Sequence, residues 1–318
     1  MGAKATKSNS QGGATKTKNS KALRPPFYVT KEEERALRIN AGQLSPSLVI
    51  TQATSFDEYA RQLMVPPTVM DLANKASDLR LASWEIEAIR AQLEPAVGGM
   101  RSGLLRRILE EKVRKDDTHP PYIRVACTGK GDYDDLATEY GYADTSHHRG
   151  DSGSPVVLEI WPAQHYSPMH AHGGTTGIIY CLTGQIDVMA YGTLDWKAEK
   201  LGLLTLTPGQ CAWLAGDQFA VHKVYCPMDG GSKPVGPGNQ LNETSDYAAT
   251  FHVYLNENEA SSDMYIPAEL GSREVFRFVN EKTHKVEKFT TYSDLSWHVL
   301  RRIMVDYAEG TALALPTR

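Results

Sequence analysis

The texture of the chain changes near residue 119, and that change limits the fold more than any other feature of the sequence. From there to about residue 290 the apolar residues come in short β-branched or alternating runs. They read PYIRVACTG, SPVVLEIWP, TGIIYCLTGQIDVMAYG, LGLLTLTPGQCAWLAG, FAVHKVYCP and AATFHVYLN, with Gly, Pro, Asn and Asp between them. Side chains alternate between the two faces of a strand. Many short strands at this spacing predict a sandwich or small barrel. Residues 227–246, PMDGGSKPVGPGNQLNETSD, are rich in Gly and Pro without any period and predict a loop.

The text before this region is helical. KEEERALRI, SFDEYARQLM, TVMDLANKA and SWEIEAIRAQL each place apolar residues three or four apart. Ser55 and Glu58 have the spacing of a capping box. RSGLLRRILEEKVRK, 101–115, predicts an amphipathic helix with its basic residues outward. Pro66, Pro67 and Pro95 mark breaks. Helical spacing returns in YSDLSWHVLRRIMVDYA, 292–308.

The first 25 residues hold six Lys or Arg and no acid, with many Ser, Thr and Gly. Such a segment cannot bury a core, so a solvated, disordered tail is expected. Met1–Gly2–Ala3–Lys4–Ala5–Thr6 also fits a short myristoylation pattern, and an acid-free basic start fits a transit peptide. The solvated tail is the plainer reading.

Composition excludes little else. The chain of 318 residues is 41% hydrophobic and 23% charged, an ordinary globular balance. No apolar run approaches the ~18 residues that span a bilayer, so no membrane span is expected. A net charge of −4 gives no general reason to expect nucleic-acid binding. Cys127, Cys181, Cys211 and Cys226 form no C-x-x-C pair. They read as reduced thiols of a cytoplasmic protein.

Of ten histidines, His170 and His172 stand out in SPMHAHGGTTGIIYCLTGQ, 167–185. A lone H-x-H pair is a weak motif. On a strand, however, residues two apart share a face, so both imidazoles project together. Two neutral imidazoles on one face suit Fe, Zn, Cu or Ni and need a third ligand from another strand. His222 and His252 are the candidates. His147–His148, His284 and His298 lie in polar, turn or helical text and read as ordinary structural residues.

The order P-x-H-x-H, then Gly184 closing a strand, then TPG and a later histidine resembles the two-part motif of the cupin superfamily. More closely, PYIRVAC, EIWPAQHYSPMHAH, LTPGQCAWLAG, VHKVY and TFHVYL resemble the cysteine dioxygenase family of thiol dioxygenases, over roughly residues 119–260. The resemblance implies a mainly-β, jelly-roll-type cupin barrel, to which the helical spacing on either side adds an N-terminal extension and a C-terminal helix. Residues 1–28 would be the disordered tail, 29–118 helices packed on the barrel, 119–290 the catalytic domain and 291–318 the C-terminal helix and tail.

The resemblance also implies Fe(II) on His170, His172 and His222, with His252 behind the metal in a Thr250–His252–Tyr254 triad. Alternation puts these last three on one strand face, where hydroxyl, imidazole and phenol can form a relay. The plainer alternative is a strand with a satisfied core histidine. The pattern Tyr122–Ile123–Arg124 matches the family's Y-x-R, whose arginine holds a substrate carboxylate. A planar guanidinium suits that task, although a strand arginine is ordinarily a surface residue.

Three neutral ligands leave Fe(II) its full charge, whereas the usual facial triad offsets part of it with a carboxylate. A coordinated thiol is deprotonated. The site where a typical cupin carries a ligating glutamate is Gly177 here, and Gly177 also stands where the animal enzymes carry a cysteine crosslinked to the tyrosine. Neither the fourth ligand nor the crosslink is expected. Thr250 stands for the usual serine and Cys226 for the usual asparagine, and the 227–246 loop is longer than the family's and is expected to reshape the pocket mouth.

These features together imply an iron(II) thiol dioxygenase acting with O2 on a small thiol carboxylate. L-cysteine fits most closely, followed by 3-mercaptopropionate or another thiol. A cupin with different metal chemistry, such as a non-thiol oxygenase or an isomerase, and a non-catalytic cupin sensor are the alternatives. Small-molecule thiol and O2 are the only partners implied, and the oligomeric state is open.

Overall fold

The computed structural model describes Leu23, residues 26–41, Phe56, Leu63 and residues 65–116, 118–127, 129–142, 156–172, 176–214, 221–255, 275–290 and 292–310. The predicted capping box at Ser55 and Glu58, most of the tail and His147–His148 lie outside them.

Four helices come first: α1 (Lys31–Ala41), α2 (Pro67–Ala76), α3 (Ser83–Gln92) and α4 (Leu104–Lys115). Then follow β1 (Ile123–Ala126), α5 (Asp134–Glu139), β2 (Val156–Pro162), β3 (His170–Ala171), β4 (Thr176–Thr183), β5 (Ile186–Tyr191) and β6 (Lys200–Leu206). The chain continues through β7 (Cys211–Leu214), β8 (Val221–Tyr225), β9 (Tyr247–Leu255), β10 (Val275–Val279), β11 (Val286–Thr290), β12 (Leu295–Ser296) and α6 (Trp297–Ala308). Among the described residues no helix is long and apolar enough to cross a membrane.

The strands form two six-stranded sheets, ordered β12-β1-β2-β9-β4-β7 and β11-β10-β3-β8-β5-β6. Neighbours are antiparallel except β1 and β12. This is the expected mainly-β, cupin-type barrel with helices at its ends. Between the sheets, Trp161, Ile179, Ile186, Val188, Leu206 and Val224 fill one part with an apolar core. The remaining interior is a cavity.

Alternation along β2 explains the layering. Leu158 and Ile160 face outward and bury under helices, packing with Ile89 of α3, Leu105, Ile108 and Leu109 of α4 and Val299, Leu300 and Ile303 of α6. Glu159 and Trp161, one residue out of phase, face inward. Each of those fully buried Leu and Ile side chains contributes roughly 2 kcal/mol by leaving water. On β4's outer face Ile178 and Tyr180 meet Val69, Ala73 and Ala76 of α2. The helical third of the chain therefore pads the outside of the barrel.

Several boundaries differ from expectation. The tail was expected to run through residue 28, but Phe27 is buried with Val29, Leu37, Met189 and Tyr191 against the second sheet. Lys223 Nζ donates to the Pro26 carbonyl at 2.8 Å. An aromatic residue three positions past the last basic one can bury, where the polar text before it cannot. At the other end, residues 295–296 were expected in the C-terminal helix. They pair in parallel with β1, and Ser296 then caps α6 by accepting from the Val299 amide.

The basic face of α4 is not wholly outward. Arg106 is buried, with its terminal nitrogens on Asn242 Oδ1 at 2.8 Å and the Asn242 carbonyl at 2.6 Å. The Asn242 amide in turn faces His165 Nε2 at 3.2 Å. These bonds pin the 227–246 loop beneath α4, and none of the described cavity-lining residues comes from it. Its expected part at the pocket mouth is not seen.

Candidate metal centre and pocket

The second sheet supplies the histidine cluster. β3 carries His170 and β8 carries His222, paired directly across the sheet, and His172 follows two residues on. One nitrogen from each of the three lies within 4.8 Å of the others, so the group could hold a metal ion. His172 and His222 are buried, with parallel rings 5.0 Å apart. His170 Nδ1 lies 2.9 Å from the Pro168 carbonyl. A carbonyl only accepts, so Nδ1 carries the proton and leaves Nε2 as the free ligand atom. Burial holds His170 and His172 well below the usual imidazole pKa, and their imidazole neighbours push the same way. Neutral imidazoles are the form that ligates.

The arrangement fits a metal on a further count. Neither ring nitrogen of His172 has a hydrogen-bond partner, although both are buried. Burying polar atoms unpaired costs free energy unless something else occupies them. The other three-histidine choice, with His252, does not form. His252 lies on the opposite sheet with both nitrogens engaged.

The first sheet supplies the facing wall. Thr250 Oγ1 lies 2.6 Å from His252 Nε2, and His252 Nδ1 lies 2.8 Å from the Tyr254 hydroxyl. Trp161 Nε1 donates to Thr250 Oγ1 at 2.8 Å, and Tyr122 stacks on that indole at 4.1 Å. The Tyr254 ring stacks on His172 at 4.7 Å, bringing the two walls into contact. Arg124, on β1, lines the same cavity, as do Tyr122, His119, Lys112 and a rim of Phe276, Phe278, Phe289 and Tyr292.

Sequence reasoning missed Glu159. It is 4% exposed and stands opposite Arg124 on one side and Thr250 on the other. Its Oε1 is 3.1 Å from Arg124 Nε, an ion pair too bent to be an aligned hydrogen bond. Its Oε2 is 3.1 Å from His252 Nε2. Burial pushes the carboxyl up to about 7, with Arg124 pulling it down. The signal was present in SPVVLEIWP, where one acid interrupts an apolar strand. His119 and Trp161 were also missed, since only the assembled cavity gives them a place.

Gly177 explains itself in the register. It pairs with Tyr254, and a Cβ there would lie 2.8 Å from the Val253 carbonyl oxygen and 2.9 Å from Tyr254 Cδ1. The missing side chain lets the Tyr254 ring lie against β4. Gly177→Ala is expected to cost about 1–3 kcal/mol by overpacking and to displace Tyr254. Urea denaturation and the near-ultraviolet tyrosine signal check this. All four cysteines are free, and Cys181 is a core residue.

No family model matches the sequence, and no curated protein matches it. Solved structures give short likenesses. YcfD, a ribosomal oxygenase from Escherichia coli, is 14% identical over 35% of this chain and 25% of its own, with a TM-score of 0.23. The DMSP lyase DddQ from Ruegeria pomeroyi is 13% identical over 33% of this chain and 39% of its own, at 0.21. A cupin domain of an XRE-family transcriptional regulator from Enterobacter cloacae is 16% identical over 32% of this chain and 79% of its own, at 0.20. At these scores the likenesses carry no argument, and fold and site stand on the topology and distances above.

Proposed function

We propose that the protein is an iron(II)-dependent thiol dioxygenase that converts a small thiol carboxylate and O2 to the sulfinate, with 119–290 as its catalytic part. L-cysteine is the closest fit. The observation that carries this reading is a three-histidine cluster facing Arg124 and the Thr250–His252–Tyr254 line across one cavity. His170, His172 and His222 would hold the iron, whose chemistry when bound is to lower the thiol's pKa and bring it together with O2.

The chain's own residues supply the rest. Arg124 offers a planar guanidinium to the substrate carboxylate, and fixing that end orients the sulfur toward the histidines. Tyr122 backs the pocket through its stack on Trp161. Tyr254 holds its hydroxyl toward the reacting atoms and can pass a proton to His252. The aromatic rim of Phe276, Phe278 and Phe289 keeps bulk water from the cavity, which strengthens each of these interactions.

Oxygen uptake by iron-loaded protein with a panel of thiols tests the reading. Uptake with L-cysteine and sulfinate as product are expected, and no uptake with any thiol would overturn it. Arg124→Ala is expected to raise KM at least about tenfold for carboxylate thiols, the scale of one lost charge-assisted bond, and to change cysteamine little. Equal changes for both would remove Arg124 from substrate binding and favour a thiol without a carboxylate, consistent with the Glu159 charge beside it.

A further inference from the structure

Glu159 bridges the two halves of the pocket wall. Its carboxylate oxygens reach in opposite directions, Oε1 to Arg124 and Oε2 to His252 Nε2, each at 3.1 Å. The side chain is buried on the inward face of β2 and lines the cavity. A charge this deep is not retained for stability alone, because an apolar residue at the same place usually costs less.

Protons can be assigned from what each atom is able to do. An ionised carboxylate only accepts. A bare Nε2 would present its lone pair to Oε2, so the nitrogen facing Glu159 carries the proton. Burial keeps His252 neutral, with one proton to place. Its Nδ1 is therefore bare, and 2.8 Å away it accepts from the Tyr254 hydroxyl. Thr250 Oγ1 also lies beside Nε2, but it already accepts from Trp161. Its second lone pair can accept the Nε2 proton at 2.6 Å, and the Glu159 charge 3.1 Å away favours that proton without an aligned hydrogen bond of its own.

Thr250 alone does not fix this direction. A hydroxyl donates as readily as it accepts, so without the carboxylate Thr250 can donate to Nε2. His252 then carries its proton on Nδ1 and donates to Tyr254, and every bond in the line reverses. We propose that Glu159, when ionised, is a positioning residue that holds His252 in the Nε2–H tautomer, so that Nδ1 is ready to receive the Tyr254 proton. Its importance for catalysis rests on the proposed dioxygenase reaction, but the tautomer does not.

The test is nitrogen NMR of ¹⁵N-histidine-labelled, metal-free protein, recorded on the alkaline side of neutrality because burial pushes the Glu159 carboxyl up to about 7. The His252 signals are identified by their loss in His252→Gln. The wild type is expected to show Nε2 protonated and Nδ1 bare. Glu159→Met keeps the volume and removes the acceptor, and it is expected to populate the Nδ1–H tautomer. Glu159→Gln keeps an accepting oxygen and is expected to retain part of the wild-type pattern. A wild-type proton on Nδ1 overturns the proposal, as does a folded Glu159→Met protein with an unchanged spectrum. The wild-type spectrum decides if that variant does not fold.

In turnover, Glu159→Met is expected to lower kcat about a hundredfold, within the range of positioned proton transfer. Bound iron should change little, while KM for carboxylate thiols should shift because Arg124 loses its ion pair. Loss of iron instead would make Glu159 a structural prop of the metal centre and overturn its positioning role. Absence of oxygen uptake in the wild type would overturn the dioxygenase reading and leave the tautomer result standing.

Discussion

His222→Ala is expected to abolish metal retention and, with it, oxygen uptake with every thiol. Among the described residues the cluster has three histidines and no carboxylate, so removing His222 leaves His170 on the two-residue β3 and His172 just beyond it. His222 is 1% exposed and sits directly opposite His170, and among the described residues no fourth His, Cys, Asp or Glu joins the cluster. Affinity for iron should fall more than about a hundredfold, beyond the cost of losing a partner that only supports a ligand. Metal content after dialysis against a weak chelator measures it. His252→Ala is the control, expected to keep the metal and slow turnover. If His252→Ala lost the metal and His222→Ala kept it, the roles of the two would be exchanged.

Asp294→Ala is expected to destabilise the fold by about 3–5 kcal/mol, the usual cost of breaking one side of a buried ion pair. Asp294 is fully buried, and its Oδ2 accepts from Lys112 Nζ at 2.8 Å and from the Arg124 amide at 2.7 Å. Its own amide donates back to the Arg124 carbonyl at 2.7 Å. Lys112 also donates to the Tyr122 carbonyl, with its ammonium over the Tyr122 and Tyr292 rings. Truncation would leave an ammonium without its counter-charge in a nearly closed site and loosen β1 at the residue expected to hold substrate. The urea midpoint should fall with little change in slope. Lys112→Met in the Asp294→Ala background should recover part of the loss, because the stranded charge goes with it.

Much of this could be read in advance from local pattern. The strands from β1 to β9 announced themselves by alternation, and the H-x-H pair needed only one strand's geometry to share a face. Glu159 could not be read that way. Its meaning depends on which strands flank β2, and register across a sheet is set by packing between distant segments. The same holds for Arg106, which reads as a solvated helix charge until Asn242 arrives from 136 residues away. Phe27 was hidden by the polar text before it, and β12 was too short to carry any period.

The two walls of the cavity belong to different sheets, with the histidine cluster on one and Arg124, Glu159 and the Tyr254 line on the other. Each sheet holds its own residues in register through its own backbone ladder. On the proposed reading, changes to the first sheet would alter what is recognised while the second kept the histidines that would hold the metal, and the reverse also follows. A lineage built on this scaffold would then revise substrate and metal separately, one sheet at a time.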